Sequence, residues 1–471
     1  MEFHGQLSRL TSVNPPKSKY HAAGRFGRLF PSLPPFAADT PTVRTRLKEI
    51  GKKGGVMDGG LNNPEHPSGV TAGFTFLGQF VDHDITFDPT SDRETQNDPE
   101  AIANFRTPLL ELDSVYASGP GATPHLYHRP NSSEEAPPKD RWSMLIDEDW
   151  PKDLPRNSQN RALIGDPRND ENVIVNQLHL AFLKFHNAVI DHLSAKPRTH
   201  ENTLFREAQR VVRWHYQWIV LHEFLPLIVG RDVVDDILTY GRRVYKWQNE
   251  PFIPVEFSVA AYRFGHTMVR GTYQLNGDFG APIFDINTGG NDPNDLRGGV
   301  RPESPGIFRR FVEWDRFFEF EKSSQTPQKS ARFDTKLATP LFELTGLEEG
   351  SLATRNLERG LAFGLPAGQD VARFLKQEIL SQRDLSELAD YGFDTRTPLW
   401  YYILREADLI EEGERLGPIG GRIVAEVLIG LMQADNDSFL RRDPLWQPTE
   451  LGTKGSFTMT DLLRFAKAPV S

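Results

Sequence analysis

Apolar residues recur at intervals of three and four over much of the chain, whereas the alternation expected of half-buried strands is rare. The segment GVTAGFTFLGQFVDHDITF, residues 69–87, carries the helical pattern, and Asp88-Pro89 ends it. A longer helix is predicted over Val173–His192, where Ile174, Leu178, Phe182, Phe185 and Val189 follow the helical spacing and Asn169 or Asp170 stands ready to cap its start. A second covers Glu201–Gly230, and its long apolar stretch broken by Trp and His predicts a buried helix. A third begins near Pro254 and runs past His266, with proline at its start, where a missing N–H costs nothing. Near the beginning, Thr40 followed by Pro41 predicts the start of a short helix over Pro41–Ile50.

Between these elements the chain turns irregular. Residues 1–68 are rich in Pro and Gly and are expected to form an irregular arm packed on the core. Residues 117–162, with SGPGATP and NSSEEAPPKD, predict a long surface excursion with a short hairpin. Shorter helices follow towards the C-terminus, and there is no internal repeat. The fold class expected is mainly α: one large helical domain over residues 69–471, with long loops and little β.

Composition narrows the chemistry. The 471 residues include no cysteine, which excludes disulfides, thiolate nucleophiles, iron–sulfur clusters and thiolate-ligated haem. A formal net charge of −10 argues against nucleic acid as a partner. No run approaches 18 apolar residues, so no membrane span is expected. The first residues do not resemble a secretory signal, so the compartment expected is cytoplasmic, or external by a signal-independent route. Phe supplies 31 residues, which suits a flat ligand but equally suits ordinary core filling.

Two segments carry unusual chemistry. In GQFVDHD, residues 78–84, Gln79 and His83 are four apart and share a helix face, Asp82 lies beside that face, and Asp84 points elsewhere. In GDPRNDEN, residues 165–172, Arg168 and Glu171 are three apart at a helix start. Taken alone, the first is compatible with a satisfied core histidine and the second with a cap and ion-pair cluster.

In chain order, GQFVDHD, GDPRNDEN, FGHTMVR and RNLERGLAFGLP resemble the peroxidase–cyclooxygenase superfamily, which contains the animal-type haem peroxidases; the resemblance spans about Gly69 to Leu375. It implies a helical haem peroxidase using hydrogen peroxide. His83 would be the distal acid–base group, Arg168 the distal cation that stabilises developing negative charge, and Gln79 the amide that orders water or small anions. Asp82 and Glu171 match the carboxylates that form ester bonds to haem methyl groups in the family. Asn172 stands where the chloride-oxidising member has methionine, which favours easier donors: bromide, iodide, thiocyanate or phenols.

On the other side of the cofactor, His266 matches the haem-iron ligand, and Arg263, three residues earlier, matches a propionate partner. Asn356 matches the acceptor for the ligand's second ring nitrogen, and Arg359 a further propionate residue. The segment RTPLLELDSVYAS, residues 106–118, resembles the family's calcium loop, which implies a calcium ion held by Asp84, Thr107, the Leu109 carbonyl, Glu111 and Asp113; the family usually has aspartate at the position of Glu111. Two other readings stand beside the peroxidase. A fatty-acid dioxygenase of the cyclooxygenase type needs a tyrosine three residues before the proximal histidine, where this chain has Arg263; Tyr262 would be rotated by about 100° on an α-helix. A non-enzymatic haem-binding protein would have no need of His83, Arg168 and Gln79 together. His179, His186, Trp214, Tyr216 and Trp218 are expected to be structural, and a monomer is the default.

Overall fold

The computed structural model describes residues 26–60, 67–86, 106–128, 142–147, 151–196, 201–247, 250–284, 295–300, 309–344, 349–453 and 455–471. The fold is mainly α, with two two-stranded sheets among the described residues. Helix α1, Pro41–Gly51, starts as expected, with the Thr40 hydroxyl accepting the Val43 N–H at 3.3 Å. It buries Leu47 and Ile50 against α5, Leu352–Ala362. The arm does more than lie on the surface. Strand β1, Phe26–Gly27, pairs with β2, Ile253–Pro254. Beside it, buried Glu256 accepts the backbone N–H groups of Leu29 and Phe30 at 2.9 and 3.2 Å. Phe30, Phe36 and Met57 join the core. The expectations for residues 1–25 lie outside the described residues.

Helix α2, Ala72–Ile85, carries the first motif. A side chain at Gly73 would collide with the Phe318 ring, so glycine is what lets α2 approach that ring. Phe87 and the Asp88-Pro89 stop lie outside the described residues. Helix α3, Val173–Ser194, is capped by Asn172 and not by Asn169 or Asp170. Those two side chains turn instead to His83 and to Arg156. Helix α4, Glu201–Ile219, continues through a wider π turn, Val220–Phe224, into Leu225–Val229. Pro226 has no N–H to give the carbonyl four residues back, and the widened turn precedes it.

The expected long helix beyond Pro254 does not form. A π turn over Glu256–Ala260 gives way at Ala260 (φ −127°, ψ −74°) to a 3-10 helix, Ala261–His266, which ends at the histidine. Tertiary demands override helical propensity here: Glu256 is committed to the arm and the Arg263 guanidinium reaches back to the Ser258 carbonyl at 2.8 Å. Helix α6, Leu399–Ile410, packs on α7, Pro418–Ala434, which is apolar and buried on nearly every side. The buried Glu406 carboxylate on α6 accepts the Ile419 N–H at 2.9 Å, satisfying an orphan donor at the start of α7. The excursion beyond residue 117 contains an antiparallel bridge between Tyr127 and Met144; residues 129–141 and 148–150 of it lie outside the described residues. Among the described residues no helix is long and apolar enough to cross a membrane.

Candidate functional site

One cavity of about 530 Å³ opens between α2, the turn before α3, the 3-10 segment ending at His266, and α5. Its lining brings together nine residues singled out in the sequence: Gln79, Asp82, His83, Arg168, Glu171, Arg263, His266, Asn356 and Arg359. The size suits a flat cofactor, since such pockets are typically about 300–1,000 Å³.

On the α2 side, His83 is buried, and its Nδ1 lies 2.8 Å from the side-chain oxygen of Asn169. Burial, and then the nearby Arg168 charge, pushes its pKa down to about 4, so the ring is neutral at pH 7. Arg168 sits in the 3-10 turn Pro167–Asp170. Its guanidinium is held by Asp166, at 3.1 Å through Nε and 2.8 Å through Nη2, and donates to the carbonyls of His83 and Thr86 at the end of α2. That is the negative end of the helix dipole. Burial works against a charge on Asp166, but hydrogen bonds from Arg168 and the charges of Arg168 and Arg106 hold it well below the usual carboxylate range.

Gln79 links two further groups. Its Nε2 donates to Glu171, and its Oε1 accepts from Asn172 Nδ2 at 3.3 Å. Burial pushes Glu171 up to about 7. Asp82 accepts the Thr86 hydroxyl at 3.1 Å.

At the same cavity, the Asn356 amide lies 2.7 Å from Nδ1 of His266. A half-turn about the last side-chain bond exchanges the ends of an amide. With the oxygen towards the ring, Nδ1–H donates and Nε2 keeps the lone pair a metal needs. Burial, then Arg263 and Arg355, push His266 down to about 3, so it stays neutral. Arg263 and His266 are three apart on a 3-10 helix, where such residues eclipse, and both reach the cavity.

An iron porphyrin fits this donor set. A buried neutral imidazole can ligate the iron, Arg263, Arg355 and Arg359 can meet two carboxylates, and Phe264, Phe284 and Leu341 give apolar wall.

The five calcium candidates do not converge in the same way. Asp84 already takes the Leu112 N–H at 3.0 Å and the Ser114 hydroxyl at 3.2 Å. Asp113 faces Arg106 at 3.4 Å, and Glu111 faces Arg213 at 3.8 Å. Thr107 is exposed, and its carbonyl accepts the Leu109 N–H at 2.8 Å. Among the described residues no group of three acidic or histidine side chains forms a metal cage. As placed, these residues do not form a calcium cage, although burial and the charge of Asp84 push Asp113 up to about 8.

Several residues at the site escaped the sequence reading. Arg355 lines the cavity, and a signal existed: Arg355 and Arg359 are four apart on α5 and share a face. Tyr262 also lines it, with its hydroxyl 3.2 Å from the Gly78 carbonyl, because the segment is not the regular α-helix that would have turned it away. Asn169, Asp166 and Arg106 act from behind His83 and Arg168, and no local spacing marks such supporting groups.

The fold and the cavity define a helical protein with two buried histidines lining one cavity of a size that suits a flat cofactor. The chain belongs to the animal haem peroxidase family, whose family model matches residues 93–395. That stretch carries Arg168, Glu171, His266, Asn356 and Arg359, whereas Gln79, Asp82 and His83 precede it. Peroxidasin from Drosophila melanogaster is 26% identical over 317 residues, which is 61% of this chain and 19% of that protein. Chorion peroxidase from Aedes aegypti is 25% identical over 291 residues, 59% of this chain and 34% of that protein. The chain thus spans only a minor part of these relatives' length. Among solved structures, peroxidase A from Dictyostelium discoideum superposes with a TM-score of 0.59 at 15% identity, covering 98% of this chain and 96% of that one. A fatty acid alpha-dioxygenase from Oryza sativa superposes at 0.57 and 17% identity, covering 94% and 80%. At these identities the structural likeness concerns the fold.

Proposed function

We propose that this chain is a haem-dependent peroxidase that reduces hydrogen peroxide and oxidises small donors such as bromide, iodide, thiocyanate or phenols. The observation that carries this reading is the convergence on one cavity of neutral His83 with Arg168 and Gln79 and of neutral His266 with Asn356. Haem, when bound, supplies the electrons that let the oxygen–oxygen bond of peroxide break, and recovers them from the donor. His83 takes a proton from one peroxide oxygen and returns it to the other, which leaves as water; such positioned transfer contributes about 10²–10⁴-fold. Arg168, fixed by Asp166, keeps a positive charge beside the bond being broken. His266 would ligate the iron, and Arg263, Arg355 and Arg359 would meet the propionates.

Asp82 and Glu171, which line the cavity, would supply the carboxylates for ester bonds to the cofactor, and Gln79 engages one Glu171 oxygen. For residues 106–113 the reading is internal neutralisation: Arg106 serves Asp113 and Asp166 in place of a cation.

A second reading, fatty-acid dioxygenation, gains one observation: Tyr262 reaches the cavity. The two are separated by loading the chain with haem and recording its absorption spectrum before and after one equivalent of hydrogen peroxide, and its oxygen uptake with a long-chain fatty acid. A rapid spectral change reversed by iodide or a phenol, and slowed about 100-fold or more by His83→Ala, supports the peroxidase. Oxygen uptake abolished by Tyr262→Phe would favour the dioxygenase. Haem binding without either response would leave a carrier.

A further inference from the structure

Behind the cavity, Asn169 stands between two imidazoles. Its side-chain oxygen faces Nδ1 of His83 at 2.8 Å and its side-chain nitrogen faces Nδ1 of His179 at 2.9 Å. All three side chains are buried, and the contacts join α2, the turn before α3, and α3 itself. An amide oxygen only accepts and an amide nitrogen only donates. With the amide in this direction His83 carries its proton on Nδ1, leaving Nε2 on the opposite edge of the ring bare. His179 must accept at Nδ1 and carry its proton on Nε2, which is buried and has no hydrogen-bond partner. Burial pushes His179 down to about 3, so it stays neutral and keeps a lone pair for the amide.

We infer that Asn169 is a positioning residue that holds His83 in the tautomer able to take a proton from peroxide, with its amide nitrogen turned to His179. The inference rests on the peroxidase reading. A half-turned amide would place the His83 proton on Nε2, and a ring in that state cannot accept a proton from the substrate. When Nε2 does take the proton, the Asn169 oxygen faces a cationic ring, and the hydrogen bond strengthens at that moment. The proton then passes from Nε2 to the departing peroxide oxygen, and His83 returns to the Nδ1–H form. Asn169 exchanges no proton.

The test uses the haem-loaded chain, with cyanide binding as a readout that needs no turnover. In neutral buffer the ligand arrives as hydrogen cyanide and must give its proton to a base; in strongly alkaline buffer it arrives as the anion. Asn169→Leu is expected to slow both the spectral response to peroxide and neutral cyanide binding on the order of 100-fold. Alkaline cyanide binding should stay near the wild-type rate. A substitution that merely narrowed the cavity would slow cyanide in both buffers, and that result overturns the proposal. Asn169→Asp keeps an acceptor for His83 and should restore the peroxide rate to within a few-fold; a loss equal to that of Asn169→Leu also overturns it. If His83→Leu itself leaves the peroxide response unchanged, the peroxidase reading fails and takes this inference with it. If His83→Leu is slow and Asn169→Leu is not, only the tautomer role fails.

Discussion

Asn172 and Gln79 are tied by a hydrogen bond whose direction is forced. The Asn172 side-chain oxygen accepts the N–H groups of Ile174 and Val175 at 3.1 and 3.0 Å, which caps α3, so its nitrogen can only donate, and it does so to Gln79 at 3.3 Å. That acceptance turns the Gln79 nitrogen towards Glu171. One cap thus sets the orientation of an amide and of a carboxylate inside the cavity.

Asn172→Met, which places at this position the residue of the chloride-oxidising relative, should therefore cost stability as well as alter the site. Loss of the cap is worth about 1 kcal/mol, and Gln79 loses the partner that fixes it. Denaturant unfolding should show the loss, and Asn172→Asp, which can still cap, should recover most of it. A methionine variant as stable as the parent would show that the cap contributes nothing.

The contact between Asn356 and His266 leads to a prediction about the cofactor. Groups that orient a metal-ligating histidine typically contribute about 10–100-fold in metal affinity or activity. Asn356→Leu should weaken haem retention by that factor, measured as transfer to a haem-accepting protein. Asn356→Asp should retain haem and lower its reduction potential, because a carboxylate pushes more electron density into the ring than an amide does. A potential unchanged in the aspartate variant would mean that the amide is not bonded to the iron ligand.

Much of this site was legible because α-helical spacing is strict. Gln79 and His83 share a face on α2 as their separation demands, and Asp84 points the other way. His266 and Arg263 share a side too, although for another reason: the expected α-helix is a 3-10 segment, in which a separation of three suffices. The same departure placed Tyr262 in the cavity against expectation. The cap of α3 was missed by two or three residues because three capable side chains stand close together, Asn169, Asp170 and Asn172, and tertiary partners decide among them. Least legible was the layer behind the site. Arg106 is distant in sequence from Asp166, and only the folded chain places its guanidinium at 2.7 Å from that carboxylate.

Arg106 gives a stability prediction. The Asp166 side chain is fully buried and shared between Arg106 and Arg168. Removing one partner of a buried ion pair costs about 3–5 kcal/mol. Since Arg168 remains, Arg106→Ala should fall near the lower figure, and Arg106→Lys should recover little, because an ammonium cannot hold a carboxylate through two nitrogens as Arg106 does. By the same charge argument, a calcium chelator should leave the unfolding midpoint of the wild type unchanged. A midpoint lowered by chelation and restored by added calcium would show that a bound cation, rather than Arg106, neutralises Asp84 and Asp113.

His186 supplies the pH dependence. It is buried on α3, with Nδ1 at 3.0 Å from the Tyr116 hydroxyl and Nε2 at 2.9 Å from the Trp142 carbonyl. Nε2–H donates to the carbonyl and Nδ1 accepts from the phenol, so the neutral ring satisfies both contacts. Burial pushes its pKa from 6.5 down to about 4. Between those values the unfolded chain binds the proton that the folded chain refuses, so stability rises with pH across this window and is lost as pH falls from 6.5 towards 4. The full difference is about 3 kcal/mol at 1.36 kcal/mol per pKa unit. His186→Gln removes the titration and keeps a polar side chain. It should be clearly less stable than the wild type at pH 7, and the gap should shrink by roughly 2 kcal/mol at pH 5. The other buried histidines are common to both chains and cancel in the comparison. Urea unfolding of the two at both pH values measures the difference; a gap equal at pH 7 and pH 5 would mean that His186 takes up a proton as readily in the folded chain as in the unfolded one.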